Sequence, residues 1–370
     1  VAVAQKVLGV ETMSILVVGL LMNLCIARFT KFKYVFLTGH HSLFMACLMS
    51  AVLGTAGLSG IELILVGGFL MGAWSAISPA IGQSYTSKVT DGDEIALGHF
   101  GSLGYYLSAW VAKYVGKAEE STEDIEIPEK WGFLRDSTLS TALTMIVFYL
   151  IAAIAAGSEF VATLSGSMSP YLFAIMSAMN FAVGVAIVYS GVRMILGDLI
   201  PAFQGIATKI IPNAIPAVDC AVFFTYAPTA VVLGFISSFI GGIIGMLILG
   251  AVGGVLIIPG LVPHFFCGAT AGIYGNATGG RRGAAVGAFL NGLAITFLPA
   301  LALPVLGQLG FQNTTFGDAD FAVMGLVLGN AFEWIGMAGI YGIVVIAALV
   351  LIVPNFIKTK GKVINYVEED

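Results

Sequence analysis

The sequence predicts an all-α polytopic membrane protein built from two inverted repeats that contain re-entrant hairpins. Three observations predict it: a composition too apolar for a water-facing surface, apolar runs of membrane-spanning length, and an internal repeat whose flanking loop charges change sides.

Of the 370 residues, 58% are hydrophobic and 10% are charged, with a mean hydropathy of +0.97. A soluble domain carries about 25% charged residues. The 47 glycines follow no period, which excludes a fibrous protein, and they suit the close backbone contacts of packed membrane helices. The formal charge of −5 gathers in one loop and at Glu368, Glu369 and Asp370, a distribution that argues against a nucleic-acid partner. Four cysteines (Cys25, Cys47, Cys220 and Cys267) lie in apolar stretches without CxxC spacing. They read as packing residues, and no disulfide framework, metal site or cofactor is expected.

Hydropathy places spans at 8–27, 41–58, 60–82, 137–157, 169–193, 226–250, 262–280, 284–305 and 338–357, because about 20 apolar residues cross the hydrocarbon layer. Less regular apolar stretches at 94–116, 197–225 and 321–336 mix Gly, Pro and polar residues. That mixture is expected of broken helices or re-entrant hairpins lining a cavity. The strongly polar segment 117–136 holds Glu119, Glu120, Glu123, Asp124, Glu126, Glu129, Lys130 and Arg135 and belongs in water, as a solvated connection or a docking surface.

Sliding the chain against itself by about 220 residues shows the repeat. Gly67-Gly-Phe-Leu-Met-Gly72, followed by Pro79-Ala80, aligns with Gly287-Ala-Phe-Leu-Asn-Gly292, followed by Pro299-Ala300. Leu37-Thr-Gly-His40 faces Leu261-Val-Pro-His264, and Glu94-Ile-Ala-Leu faces Asp320-Phe-Ala-Val. Short cytoplasmic loops collect Lys and Arg. In the first copy Arg28, Lys31 and Lys33 precede a loop at 54–62 with no basic residue; in the second, 250–261 has none and Arg281 and Arg282 follow. The copies are therefore expected to be inverted. Arg193 and the tail with Lys358, Lys360 and Lys362 then fall in the cytoplasm, and 94–116 returns to the side it entered from, leaving 117–136 cytoplasmic.

The expected division is a remainder of the first repeat at 1–116, the cytoplasmic loop 117–136, the second repeat at 137–357 and a cytoplasmic tail at 358–370. About 120 residues precede Leu261 in the second copy and only 36 precede Leu37, so roughly 85 further N-terminal residues are expected. Inverted repeats with broken helices point to a transporter with its site near the midplane.

Ionisable residues inside membrane segments are functional candidates by default. They are Glu11, His40, His41, Glu62, His99, Arg193, Asp198, Asp219, His264 and Glu333. Glu62, Arg193 and Asp198 sit near span ends and read as solvated or interfacial groups. Asp219 stands in Pro216-Ala-Val-Asp-Cys-Ala between irregular stretches and accepts hydrogen bonds either from a polar ligand or from unwound backbone. His40 recurs as His264 in the other copy, and His99 opens an irregular stretch; each is either satisfied by backbone or a hydrogen-bonding ligand for a hydroxylated solute. No nucleophile–base pair, Walker loop, GxGxxG or HExxH occurs, so any chemistry at this site falls to a partner.

Specific segments carry a resemblance. Leu37-Thr-Gly-His40, Val89-Thr-Asp-Gly92 with Gly98-His99, Gly116-Lys117-Ala-Glu-Glu-Ser121, Gly191-Val-Arg-Met194, Ile211-Pro212, Asp219-Cys-Ala, Ala227-Pro228 and Ile257-Ile-Pro-Gly260 resemble the ascorbate-specific EIIC permease family of the bacterial phosphoenolpyruvate phosphotransferase system. The resemblance implies an inner-membrane homodimer with a scaffold and a mobile core domain that moves in the manner of an elevator. It implies transport of L-ascorbate or a related sugar acid or polyol, phosphorylated by a phosphocysteine on cytoplasmic EIIB, which EIIA charges. The family's binding histidine and aspartate fall on His40 and Asp219. Two of its binding glutamines fall on Phe44 and Phe100, which removes two polar contacts. The reading from a different class is an ion- or proton-coupled carrier using Asp219 or Glu333.

Overall fold

The computed structural model describes residues 9–92, 94–125, 137–308 and 316–356; side chains at 137 and 306–308 and several between 189 and 208 stand outside that description. The chain runs α1 (Val10–Phe29), β1 (Tyr34–Phe36), α2 (Gly39–Thr55), α3 (Gly60–Val89), β2 (Ala96–Leu97) and α4 (Ser102–Val115). It continues through α5 (Ser137–Ala156), α6 (Ser158–Ser165), α7 (Pro170–Lys209), β3 (Ile215–Val218) and α8 (Cys220–Phe223). The last elements are α9 (Pro228–Ala251), α10 (Leu261–Gln308), α11 (Ala319–Ile335) and α12 (Met337–Phe356).

Among the described residues, seven helices are long and apolar enough to cross a membrane: α1, α3, α5, α7, α9, α10 and α12. They correspond to the hydropathy spans except 41–58, which falls on α2, a helix of 17 residues; 262–280 and 284–305 are the two arms of α10. The arms meet at Gly279 and Gly280, where the backbone leaves helical values and Gly280 takes φ 59°. A side chain at Gly280 would lie 2.2 Å from Lys117 O and 2.4 Å from Glu120 O, so a residue without Cβ is required there.

Two of the three irregular expectations are corrected. The stretch 197–209 is helical, because α7 continues through Pro201 to Lys209; only 215–225 is strand and short helix. The stretch 321–336 is the regular helix α11, in which Gly329 is a contact surface: a Cβ there would come within 2.2 Å of Val305 Cγ1. In 94–116 the first limb is extended strand, and the second, α4, has 14 residues. At 1.5 Å per residue it reaches about 21 Å, short of the roughly 30 Å hydrocarbon layer.

The two glycine hexamers of the repeat do the same packing work. A Cβ at Gly72 on α3 would lie 2.8 Å from Gly19 O and 2.9 Å from Asn23 N of α1. One at Gly292 on α10 would lie 2.0 Å from Ser238 O of α9. Each hexamer lets a later helix touch the backbone of an earlier one, the usual device where lipid supplies no hydrophobic drive for helix association. Two large apolar clusters stand out among the described residues. One joins α4, α8, α9 and α10 around Tyr105, Phe223, Phe235, Phe265 and Tyr274. The other joins α1, α2, α3, α11 and α12 around Ile15, Met45, Leu48, Met71, Phe321 and Leu328.

The strands form a parallel sheet in the order β1-β3-β2. Away from water every backbone N–H and C=O needs an internal partner, and the short strands supply one another. Leu37 N donates to Ala217 O (2.9 Å) and Gly98 N to Val218 O (2.7 Å). Asn23 of α1 anchors the edge: its Nδ2 donates to Tyr34 O (3.1 Å) and its Oδ1 accepts from Phe36 N (3.0 Å). Gln83 of α3 donates to Ile95 O (3.0 Å) at the other edge.

The described part of the acidic segment is strapped down. Glu123 accepts from Thr229 N (3.0 Å) and Ala230 N (3.1 Å) at the start of α9. Thr122 N donates to Asn276 Oδ1 (2.8 Å), and Arg281 N donates to Glu120 O (2.8 Å). A carboxylate on the free N–H groups of a helix start is stabilising. Residues 126–136 and the tail 358–370 lie outside the described residues.

Candidate functional site

Because the three strands are parallel, their C-terminal ends lie together, and each hands the chain to a helix: β1 to α2, β2 to α4, β3 to α8. The residues at those junctions are His40, His99 and Asp219. They face a cavity of ≈ 840 Å³ whose polar lining is Thr38, His40, His41, His99, Asp219 and Asp318. Its walls are rings and aliphatic chains, among them Phe44, Phe266, Phe316 and Phe321. A concave, largely apolar space with a few convergent polar groups is the form of a small-molecule site.

His40 sits in the first turn of α2 with its side chain 59% exposed. Its Nε2 is 3.4 Å from Asp219 Oδ2, outside hydrogen-bond geometry, so Oδ2 is a buried acceptor with no hydrogen-bond partner. Asp219 Oδ1 accepts from Ala221 N (3.0 Å) and caps α8. The two sequence readings of Asp219 are therefore divided between its oxygens: one holds unwound backbone, the other stands free for a ligand. Thr38 Oγ1 is a second buried polar atom without a partner.

His41 and His99 are held in one tautomer by backbone. Phe100 N donates to His41 Nδ1 (3.3 Å), and Gly101 N donates to His99 Nδ1 (3.2 Å). Tyr105 Oη also reaches His99 Nδ1 (2.9 Å). A nitrogen that receives a backbone N–H carries no proton, so each neutral ring bears its proton on Nε2 and is a donor there. The two rings lie against each other at a tilt of 51°, with centroids 3.8 Å apart.

Asp318, which sequence reasoning did not single out, completes the lining. It precedes α11, accepts from Cys267 Sγ (2.7 Å) through Oδ1, and its Oδ2 lies 3.8 Å from His41 Nδ1. The available signal was its place directly ahead of an apolar run, where Asp is favoured as a helix cap. Asp320 is fully buried and accepts from Trp74 Nε1 (3.1 Å), Ser102 Oγ (2.7 Å) and Leu103 N (3.0 Å), joining α3, α4 and α11 behind the site.

Of the six residues predicted from sequence, His40, Phe44, His99 and Asp219 line the cavity. Phe100 does not: its ring is fully buried and stacks on Phe36 with centroids 4.5 Å apart, leaving only its backbone N–H near the site. His264 does not either. It is buried between α9 and α10 with Nδ1 2.9 Å from Ser238 Oγ, although its neighbours Val262 and Pro263 reach the lining. Glu11 accepts from Gly60 N (2.9 Å), Glu62 accepts from Tyr341 Oη, and Glu333 is exposed on α11. The side chains of Arg193 and Asp198 lie outside the described residues.

Among the described residues, three sets of donor atoms approach within 4.8 Å of one another: His40, His41 and Asp219; His41, His99 and Asp318; and His99, Asp219 and Cys220. A metal ligand nitrogen needs its lone pair free, and its ring usually donates the other N–H outward. His41 and His99 have the opposite arrangement, with Nδ1 taken by an N–H and Nε2 protonated. The set is suited to hydrogen bonding with hydroxyl groups: imidazole N–H donors beside carboxylate acceptors.

The helices of membrane-spanning length around this cavity fit an all-α polytopic membrane protein. Residues 1–320 match the family described as PTS system sugar-specific permease component, EIIC-GAT, and the chain belongs to that family. It is 25% identical over 307 residues to the ascorbate-specific PTS system EIIC component of Mycoplasma pneumoniae. That match covers 71% of this chain and 46% of the relative, so the chain spans about half the relative's length.

Proposed function

We propose that this chain is the permease part of a phosphotransferase system, carrying L-ascorbate or a related sugar acid or polyol across the bacterial inner membrane for phosphorylation by EIIB. The observation that carries the reading is the convergence of His40, His99 and Asp219 from three hydrogen-bonded strands on one cavity. The donors are imidazole N–H groups, the acceptors are carboxylate oxygens, and the rings of Phe44, Phe266 and Phe321 suit the C–H faces of a carbohydrate. The cavity's polar residues hold no nucleophile paired with a base, consistent with phosphate arriving from a phosphocysteine on EIIB that EIIA recharges.

The finer architecture in this reading is a pair of inverted repeats, a scaffold and a mobile core moving by an elevator-like displacement, and a homodimer with cytoplasmic C-termini. The common order of elements supports the duplication. Leu37 to His40 and Leu261 to His264 both lead into the first turn of a helix, and both glycine hexamers pack a later helix on an earlier one. Inversion rests on the swapped loop charges. The segment 117–136 is the EIIB-facing element, with Glu119 and Asp124 exposed beside the strap that Glu123 forms.

The test is solute entry into proteoliposomes. Phosphorylated product should accumulate only with EIIB whose cysteine has been charged by phosphorylated EIIA. Uptake driven by an ion gradient without soluble proteins would replace this reading with a coupled carrier.

A further inference from the structure

A second concavity lies away from the solute site, on the side that meets hydrocarbon. It has a volume of ≈ 520 Å³ and sits between α3 and α12, with Ile77 and Ile81 on one wall, Leu349, Val350 and Val353 on the other, and Phe32 contributed by the loop after α1. Every residue lining it is apolar. Ile81, Leu349 and Val353 are each about half exposed on helices of membrane-spanning length, so lipid tails are the medium that reaches them. From Leu349 to Pro354 the helix rises about 7.5 Å, the length of a few methylenes next to a headgroup.

The rim at that end is basic. Lys31 and Lys33 stand on either side of Phe32, and their loop is docked on α12, where Lys31 N donates to Asn355 Oδ1 (2.8 Å). Lys33 Nζ donates to Ala27 O (3.0 Å) and Arg28 O (3.4 Å), open carbonyls of the last turn of α1, where a cation is favoured. Its ammonium is thus fixed beside the exposed Arg28. Among the described residues, no carboxylate stands within ion-pair distance of Arg28 or Lys33. Burial, and then the Arg28 charge, lower the pKa of Lys33 from its ordinary value. The fold holds two like charges together at the edge of the hydrocarbon layer, an arrangement that an anion relieves.

We infer that the groove and its rim form a site for an anionic phospholipid of the bilayer: one acyl chain lies between α3 and α12, and the phosphate meets Arg28 and Lys33. An apolar groove alone takes any lipid tail. The paired cations select the headgroup, since each basic residue near a membrane surface favours an anionic lipid, and basic pockets between spanning helices bind such headgroups. The loop enters β1 at Tyr34, so the bound headgroup also steadies the strand that leads to His40. The site requires a chain that spans a bilayer and does not depend on which solute is carried.

Native mass spectrometry of the full chain in detergent, offered equal phosphatidylglycerol and phosphatidylcholine with the same acyl chains, reads the preference directly. The parent should bind phosphatidylglycerol at least about tenfold more tightly. Arg28→Gln should cut that preference about fivefold, and adding Lys33→Gln should bring it near one. Val350→Trp fills the groove and should weaken both lipids at least about threefold, through lost apolar burial.

Equal binding of the two lipids by the parent, or a preference unchanged by Arg28→Gln, overturns the inference. Arg28 is exposed, so that variant decides the matter should Lys33→Gln unfold the chain. A parent dimer that Val350→Trp separates, with no lipid preference, assigns the groove to a second copy instead. Transport assays with EIIA and EIIB bear on the permease reading and leave this measurement standing.

Discussion

His40 Nε2 stands 3.4 Å from Asp219 Oδ2, a contact between the first turn of α2 and the end of β3 that leaves the carboxylate oxygen without a hydrogen bond. A buried acceptor without a partner is costly in a resting protein. A hydroxyl placed between the two residues would relieve that cost, which is why the pair is proposed as a point of solute attachment.

Asp219→Asn and His40→Ala should therefore each weaken solute binding about ten- to a hundredfold, the range for one hydrogen bond to a charged group. Asn keeps an oxygen for Ala221 N, and His40 is exposed, so melting temperatures should stay close to that of the parent. Calorimetric titration with L-ascorbate and hexitols, alongside thermal unfolding in detergent, checks both statements. Unchanged binding in both variants would remove these residues from the site.

The two phenylalanines that stand where the resembling family has glutamine should behave differently. Phe44 lines the cavity and is 48% exposed, so Phe44→Gln should leave stability within about 1 kcal/mol and strengthen L-ascorbate binding about tenfold. Phe100 is stacked on Phe36 in the core. Phe100→Gln buries an amide without partners and should cost about 2 kcal/mol or more with no gain in affinity.

Asp320→Ala should be the most destabilising of the changes near the site. It strands the Trp74 indole N–H, the Ser102 hydroxyl and the Leu103 N–H in a fully buried position. Each such group costs about 1–3 kcal/mol, so a loss of at least about 3 kcal/mol is expected. A lowered melting temperature together with weaker solute binding is the result to look for.

The strap of the acidic segment gives a graded pair. Glu123→Ala removes the acceptor for Thr229 N and Ala230 N and should cost about 1 kcal/mol, as loss of a helix cap does. Gly280→Ala should cost more, because the new Cβ meets Lys117 O and Glu120 O and φ is positive. Thermal unfolding of both variants ranks them; the reverse order would mean that the α10 kink, not the cap, tolerates change.

Hydropathy made the spanning helices legible because segment length alone settles the matter in so apolar a chain. It misread α11 and the second half of α7, where glycine and Pro201 suggested breaks; the backbone stays helical there. At Gly329 the small residue marks a contact with Val305. The site was half legible. Motif position found His40, His99 and Asp219, but the kinship of His40 with His264 hid the fact that His264 turns toward Ser238, in a space left open by Gly242. Asp318 escaped because it lies between elements, where an aspartate reads as an ordinary helix start. Its role depends on Cys267, a residue whose spacing carries no motif.

The three short strands set a mechanical condition on everything above. Tyr34, Val35 and Phe36 register on Ile215, Pro216 and Ala217, and Ala96 and Leu97 on Ala217 and Val218. The backbone positions of His40, His99 and Asp219 are thus tied together through main-chain bonds, independently of how the surrounding helices slide. On the proposed permease reading, whatever exposes the cavity to one face of the bilayer or the other carries these junctions as a single piece. A solute held there would be handed across without its binding contacts being remade on the way.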